Sequence, residues 1–261
     1  MTAQPNIAIV TSIPQNIIRY DDGRLADYDY QKICIQSLIG CGFRVMSVND
    51  REEIRVLAPK YPEVEFIEAE INVNKLTGRK IPSVFQLLVA LTAVPESVVG
   101  IINSDIVFEP SPIWQQELPR LVVNAAVVGQ RIDATSLLRG ATLRFPHGFD
   151  YFFFERAAIK DFIDESQFYS MGLPWWDYWL PIALALKRRQ IVVLDRPYVL
   201  HLIHKVGYHP QIWLDFALRF AECVTSASNS CDYKSTSTLE LIVSHCHTMR
   251  GRGRECDRRR A

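Results

Sequence analysis

Four apolar runs separated by helical segments constrain this chain more than any other feature of its sequence. Asn6–Ile13 (NIAIVTSI) reads as a buried strand that closes on Thr11-Ser12. Tyr28–Gly40 reads as a helix with Ile33, Leu38 and Ile39 on one face and Gly40 and Gly42 near its end. Phe43–Val48 alternates as a second strand and stops at Asn49-Asp50, an N-cap for a helix over Arg51–Ala58. Val64–Ile67 is a third short strand, followed by a polar loop, Asn72–Pro82, and an apolar helix, Ser83–Ala93. The fourth run is Val98–Phe108 (VVGIINSDIVF). Strands and helices in strict alternation predict an α/β fold, a mostly parallel sheet with helices on both faces.

The fourth run also carries the most informative interruption. Val98–Ile102 is apolar or small throughout, as in a strand buried on both faces, yet it breaks into Asn103-Ser104-Asp105 before resuming as Ile106-Val107-Phe108. Ligands of open α/β sheets collect at the carboxyl ends of the strands. If strand geometry persists, Asn103 and Asp105 point to one side, roughly 7 Å apart. One carboxylate and one amide oxygen make a partial shell for a hard divalent cation. The same residues also suit a turn that bonds its own backbone.

The second half is less regular. It predicts a helix over Pro112–Leu121, a strand over Ala125–Gly129, an aromatic strand over Phe145–Phe154 and a short helix over Ala157–Ile163. A helix follows over Trp175–Arg189 with Pro181 early in it, then a late strand or hairpin from Ile191–Leu194 and Tyr198–His201, and a last helix over Pro210–Cys223. Beyond Ala227 the chain thins to Ser, Thr and Asn and ends in GRGRECDRRRA, so 228–261 is expected to be a disordered basic tail.

Composition excludes more than it assigns. Lys+Arg 29 against Asp+Glu 29 removes any whole-protein electrostatic case for nucleic acid or an anionic membrane. No apolar run reaches the length of a membrane span, and MTAQPNIAIV lacks a secretory leader. The six cysteines form no Cys-x-x-Cys pair and read as reduced thiols, so a cytoplasmic location is expected. Neither G-x-G-x-x-G nor G-x-x-x-x-G-K-[ST] is present, which disfavours a dehydrogenase and a phosphate-loop enzyme.

Five groups of residues could carry chemistry. Thr11 and Ser12, with Ser47 and Asn49, close two strands and suit the polar edges of a base and a ribose; singly, each also suits a cap or a turn. Lys75, Arg79 and Lys80 could meet a diphosphate, or form a solvated basic loop. Asp150 sits among aromatics, where a bare carboxylate is costly, so it needs Arg144, a backbone turn or a ligand hydroxyl. Asp177, within Trp175-Trp176-Asp177-Tyr178-Trp179, is either an acid favoured by a helix N-terminus or a partly desolvated general base in an aromatic wall. His201 and His204 lie three apart, so on a strand at most one reaches a site; His204, at the loop end, is preferred. Cys231, His245, Cys246, His247 and Cys256 fit no compact zinc spacing.

In order and type of element, residues 5–215 resemble the GT-A-fold nucleotide-diphospho-sugar glycosyltransferases. The resemblance implies a Rossmann-like, GT-A-like single domain over 1–227, with a nucleotide-binding half at 5–110 and an acceptor half at 111–227. Asn103-Ser104-Asp105 takes the place of the family's Asp-x-Asp motif, with Asn in place of the first acid. Asp105 and His204 would then hold Mn²⁺ or Mg²⁺, and Thr11, Ser12, Asn49, Asn103 and Ser104 would lie beside the nucleotide. Arg79 or Lys80 would meet the diphosphate. Asp177 would take the proton from an acceptor hydroxyl in an inverting reaction, while Asp150 and the tryptophans hold sugar or acceptor. The partners implied are a nucleotide-diphospho-sugar and a carbohydrate or other hydroxyl acceptor. A non-catalytic nucleotide- or sugar-binding module, favoured by Asn103, and a sugar-nucleotide nucleotidyltransferase, disfavoured by the lack of a Gly-rich loop after the first strand, are the alternatives.

Overall fold

The computed structural model describes residues 6–21, 23–69, 80–137, 143–144, 148–187, 189–194, 196, 198–204 and 209–228. Its first part is β1 (Ile7–Thr11), a small hairpin of β2 (Tyr20–Asp21) and β3 (Arg24–Leu25), α1 (Asp27–Gly40), β4 (Arg44–Asn49), α2 (Arg51–Leu57), β5 (Glu65–Glu68), α3 (Val84–Thr92) and β6 (Val98–Ile102). Then come β7 (Val107–Phe108), a π turn at Ile113–Glu117 running into α4 (Leu118–Leu121), β8 (Ala125–Gly129), β9 (Ile132–Ala134) and β10 (Leu143–Arg144). The chain continues through β11 (Tyr151–Glu155), two 3₁₀ stretches (Arg156–Asp161 and Ile163–Phe168), α5 (Trp176–Leu186), β12 (Gln190–Val193), β13 (Val199–Leu202) and α6 (Pro210–Ser228).

The central sheet has seven strands in the order β12-β8-β11-β6-β1-β4-β5. Every pairing is parallel except those of β11, which runs antiparallel to both β6 and β8. Alternation along the strands feeds two cores. Ala8, Val10, Val99, Ile101, Phe152 and Phe154 face α3, α5 and α6, while Ile7, Ile9, Val98, Ile102, Tyr151 and Phe153 face α1, α2 and α4. Helices therefore cover both faces, as the alternation predicts. The aromatic strand fits because glycine lies beside it: a Cβ at Gly100 would come within 2.7 Å of the Phe153 ring, and one at Gly129 within 1.8 Å of Tyr151.

A second sheet, β10-β9-β13-β7, stands at the carboxyl end of the first. Val98–Phe108 is thus divided between two sheets, with β6 in one and β7 in the other. Of the late strand or hairpin expected at Ile191–Leu194 and Tyr198–His201, the strands form but do not pair with each other: β12 joins the edge of the large sheet and β13 the middle of the small one. The expected helix at Pro112–Leu121 is a π turn plus one α turn, and that at Ala157–Ile163 is 3₁₀. The cap expected at Asn49-Asp50 forms on Asp50, and α3 carries a second one. Asp50 accepts the Glu53 N–H at 2.9 Å to start α2, and Ser83 and Gln86 form a capping box on α3. Cys34 and Cys41 are free and buried, and no described helix is long and apolar enough to cross a membrane. The tail and its Cys/His group, from 229 onward, lie outside the described residues.

Candidate functional site

Because β11 is antiparallel to β6, with Tyr151 opposite Ile102, its beginning lies against the end of β6. Asp150 is thereby set beside Asn103: the Asn103 N–H donates to the Asp150 carbonyl at 2.9 Å, and the Asn103 side-chain amide donates to Asp150 Oδ1 at 2.9 Å. The chain then turns at 104–105 rather than continuing as a strand, so Asn103 and Asp105 do not share a partner. The turn is fixed by α1. Gln31 donates to the Ser104 carbonyl and Tyr30 to the Asp105 carbonyl, both at 2.6 Å. The Tyr30 hydroxyl also accepts the Leu202 N–H at 3.0 Å, which ties the turn to the end of β13.

That connection brings both histidines to Asp105. His201 Nε2 is 3.4 Å and His204 Nε2 3.6 Å from Asp105 Oδ2, and one donor atom from each residue lies within 4.8 Å of the others. The limit of one histidine applies only while the strand persists, and β13 ends at Leu202, so His204, beyond it, reaches Asp105 together with His201. Beneath them, His201 Nδ1 meets Asp133 Oδ1 at 2.9 Å, across the parallel pairing of β13 with β9. Burial alone would raise the Asp105 carboxyl. The bonds from His201 and His204, with the charges of His201 and Arg19, outweigh it and hold the group well below the usual carboxylate range. Burial likewise works against charging His201, but Asp105 and Asp133 raise its pKa overall.

These residues fit a divalent cation. With its Nδ1–H committed to Asp133, a neutral His201 turns a lone pair toward Asp105 Oδ2, leaving two acceptors face to face. Either a proton or a cation reconciles them. A carboxylate with two imidazoles, one oriented by a second acid, suits Mn²⁺ better than Mg²⁺, which takes oxygen ligands almost exclusively.

The other end of the site is acidic. Arg131 links Asp133, at 2.9 Å from Nε, to Asp150, at 2.6 Å from Nη1. Asp105, His201, Asp133, Arg131 and Asp150 thus form one series of contacts. Among the described residues Asp150 is held by Arg131 and Asn103; the side chain of Arg144, considered from sequence, lies outside the described residues. Asp150 is 2% exposed, and its Oδ2 has no hydrogen bond among the described residues. Asp177 stands in the first turn of α5 under Gly148, which adopts a left-handed φ of +74° and leaves no room for a side chain, since a Cβ there would lie 2.3 Å from Asp177 Oδ2. Burial, then the Asp150 charge, pushes the Asp177 carboxyl up to about 7. The preceding Trp175 adopts a left-handed φ of 74°, held by its indole N–H to the Trp213 carbonyl at 3.1 Å and by Phe220 stacked on its ring. The tryptophans are no open wall. Trp175, Trp176 and Trp179 are 6%, 3% and 1% exposed and belong to the core.

The strand ends of the nucleotide half differ from this seam. Thr11, Ser47 and Asn49 are fully buried. Ser47 donates to Asn49 Oδ1 at 2.6 Å, and Asn49 Nδ2 donates to the Ile13 carbonyl and to Glu53, each at 2.9 Å. Asn49 and Thr11 therefore face inward rather than toward a ligand, while Ser12 is partly exposed. Lys80, expected at a diphosphate, instead pairs with Asp50 at 2.9 Å and Glu52 at 2.8 Å. Arg79 and Lys75 lie outside the described residues. Sequence reasoning missed Arg19, Tyr30, Gln31, Arg131 and Asp133. Only Arg131-Ile132-Asp133 carries a signal, two opposite charges two apart at the start of a short strand.

No protein-family model matches the sequence, and no curated protein matches it significantly. Solved structures do match. S. aureus TarS 1-349 in complex with UDP-GlcNAc aligns with TM-score 0.54 at 13% identity, over 92% of this chain and 71% of that one. The same TarS fragment in complex with UDP aligns with TM-score 0.50 at 14% identity, over 92% and 70%. A longer S. aureus TarS structure aligns with TM-score 0.54 at 12% identity, over 92% of this chain but 42% of that one, so this chain spans less than half its length. TarS is a GT-A-type glycosyltransferase. The likeness, with the mostly parallel seven-stranded sheet, gives the present chain a GT-A-like α/β fold.

Proposed function

We propose that this protein is a glycosyltransferase that moves a sugar from a nucleotide-diphospho-sugar donor, a UDP-sugar first of all, to an acceptor hydroxyl. The observation that carries the reading is the meeting of Asp105, His201 and His204 at the carboxyl end of β6, in a fold shared with a protein crystallised with UDP-GlcNAc. Asp105, His201 and His204 would hold Mn²⁺, and a cation there would offset the charge that builds as the diphosphate departs. Asp133 would keep the His201 ring oriented. Asp177, with its raised pKa, would accept the proton of the acceptor hydroxyl, and Asp150, with Oδ2 unbonded, would accept a hydroxyl of sugar or acceptor. Ser12, a partly exposed strand-end residue, would meet the nucleotide, and this seam would join the nucleotide and acceptor halves.

The test is UDP release from a panel of UDP- and GDP-sugars with Mn²⁺, in wild type and Asp105→Ala. The expected result is release that depends on Mn²⁺ and falls by about 10³-fold in Asp105→Ala. Full activity in the variant would remove the cation role. Mn²⁺-dependent nucleotide binding without release or transfer would favour the binding module that Asn103 permits.

A further inference from the structure

The carboxylate at the centre of this site already has a cationic partner. Arg19 lies on irregular backbone between β1 and β2, is 8% exposed, and donates from Nη2 to Asp105 Oδ2. That is the oxygen which His201 and His204 also face. The rest of the guanidinium is poorly served. Nη1 donates to the carbonyl of the adjacent Ile18 at 2.9 Å, and Nε is buried with no partner among the described residues. Arginine binds carboxylates best as a two-pronged fork, and a buried donor left unmade costs free energy. The Arg19 backbone is fixed, since its carbonyl accepts the Ala26 N–H at 2.9 Å. What is free to change is the side chain.

We propose that Arg19 is a built-in competitor for the cation: its guanidinium holds Asp105 when no cation is present and releases Oδ2 when one binds. A divalent cation on Oδ2 would face the guanidinium across one oxygen, and the repulsion between a doubly charged ion and Arg19 at that distance is stronger than that between Arg19 and an imidazole. Cation affinity then becomes the difference between two partners of the same acid. The inference rests on the reading of Asp105, His201 and His204 as cation ligands.

The experiment is calorimetric titration of Mn²⁺, without nucleotide, into the full chain as wild type, Arg19→Gln, Arg19→Lys and Asp105→Asn. Melting curves check that each variant is folded. Arg19→Gln is expected to bind Mn²⁺ about tenfold or more tightly than wild type. Arg19→Lys, which keeps the charge without the fork, should fall between the two, and Asp105→Asn should lose binding. Equal or weaker binding by Arg19→Gln, with Asp105→Asn still defective, overturns the competition while leaving the cation site standing. Absence of Mn²⁺ binding in both wild type and Arg19→Gln removes the site, and the competition with it. If Arg19→Gln does not fold, Arg19→Lys decides: tighter binding than wild type supports the competition, and no gain overturns it.

Discussion

Asp105 and Asp177 are both partly buried acids at the mouth of one sheet, and desolvation pushes both toward the protonated form. They end in opposite states. Around Asp105 stand His201, His204 and Arg19, and its carboxyl is held well below the usual range. Beside Asp177 stands Asp150, and its carboxyl is pushed up to about 7. Burial alone does not give an acid its role; the sign of its neighbours does. The residues between the two ends alternate in charge from Asp133 to Arg131 to Asp150, so each is compensated by the next. One end of the seam is suited to hold positive charge, the other to exchange a proton near neutrality.

The comparison breaks most readily at Asp177. Asp177→Asn is expected to lower transfer by about 10²–10⁴-fold while donor binding survives, measured by separate kinetic and binding titrations. In wild type the rate should rise as pH passes about 7, where Asp177 loses its proton. Stability runs the other way. The unfolded chain releases this proton near the ordinary carboxylate value and the folded chain only at about 7, so between these values folding takes up a proton and stability falls as pH rises. Asp177→Asn should therefore melt higher than wild type at pH 8, with an advantage that shrinks as pH falls below 7 and is gone only below about 3.8.

Gly148→Ala attacks the same acid sterically, through a Cβ 2.3 Å from Asp177 Oδ2 at a φ of +74°. It is expected to cost about 1–3 kcal/mol in denaturant melts and up to about 10²-fold in transfer rate. At the other end, Asp133→Asn weakens the acceptor that orients His201 and should reduce Mn²⁺ affinity by about 10–100-fold in a calorimetric titration, with little change in the pH profile set by Asp177. The smallest effect belongs to Ser83→Ala, which removes the α3 cap and should cost about 1 kcal/mol in melting experiments without altering Mn²⁺ binding. If this control weakened Mn²⁺ binding as much as Asp133→Asn, the difference between the two ends would reflect general destabilisation and not the sign of their neighbours.

Particular residues show why some of this was legible in advance. Asp105 stands out because three polar residues end a strand buried on both faces. Asp177 stands out because an acid among tryptophans must be paired or perturbed. Asn49 misled for the same kind of reason: it too ends a buried strand, but Ser47, Ile13 and Glu53 satisfy its side chain internally. A polar strand end and a ligand-facing residue look alike until their hydrogen bonds are known. The tryptophans misled because an aromatic cluster looks the same whether it forms a wall or a core.

By itself the sequence determined the strand–helix alternation, the parallel half of the sheet, the cap at Asp50, and the polar break after Ile102, because each depends on near neighbours and on burial periods of two or about 3.6 residues. Tertiary structure decided that β11 runs against β6, that β13 lies between β7 and β9, and that Arg19, Arg131, Asp133 and both histidines converge on the acids. Those pairings join segments far apart in the chain through backbone hydrogen bonds that any side chain can accompany, so local pattern carries no record of them.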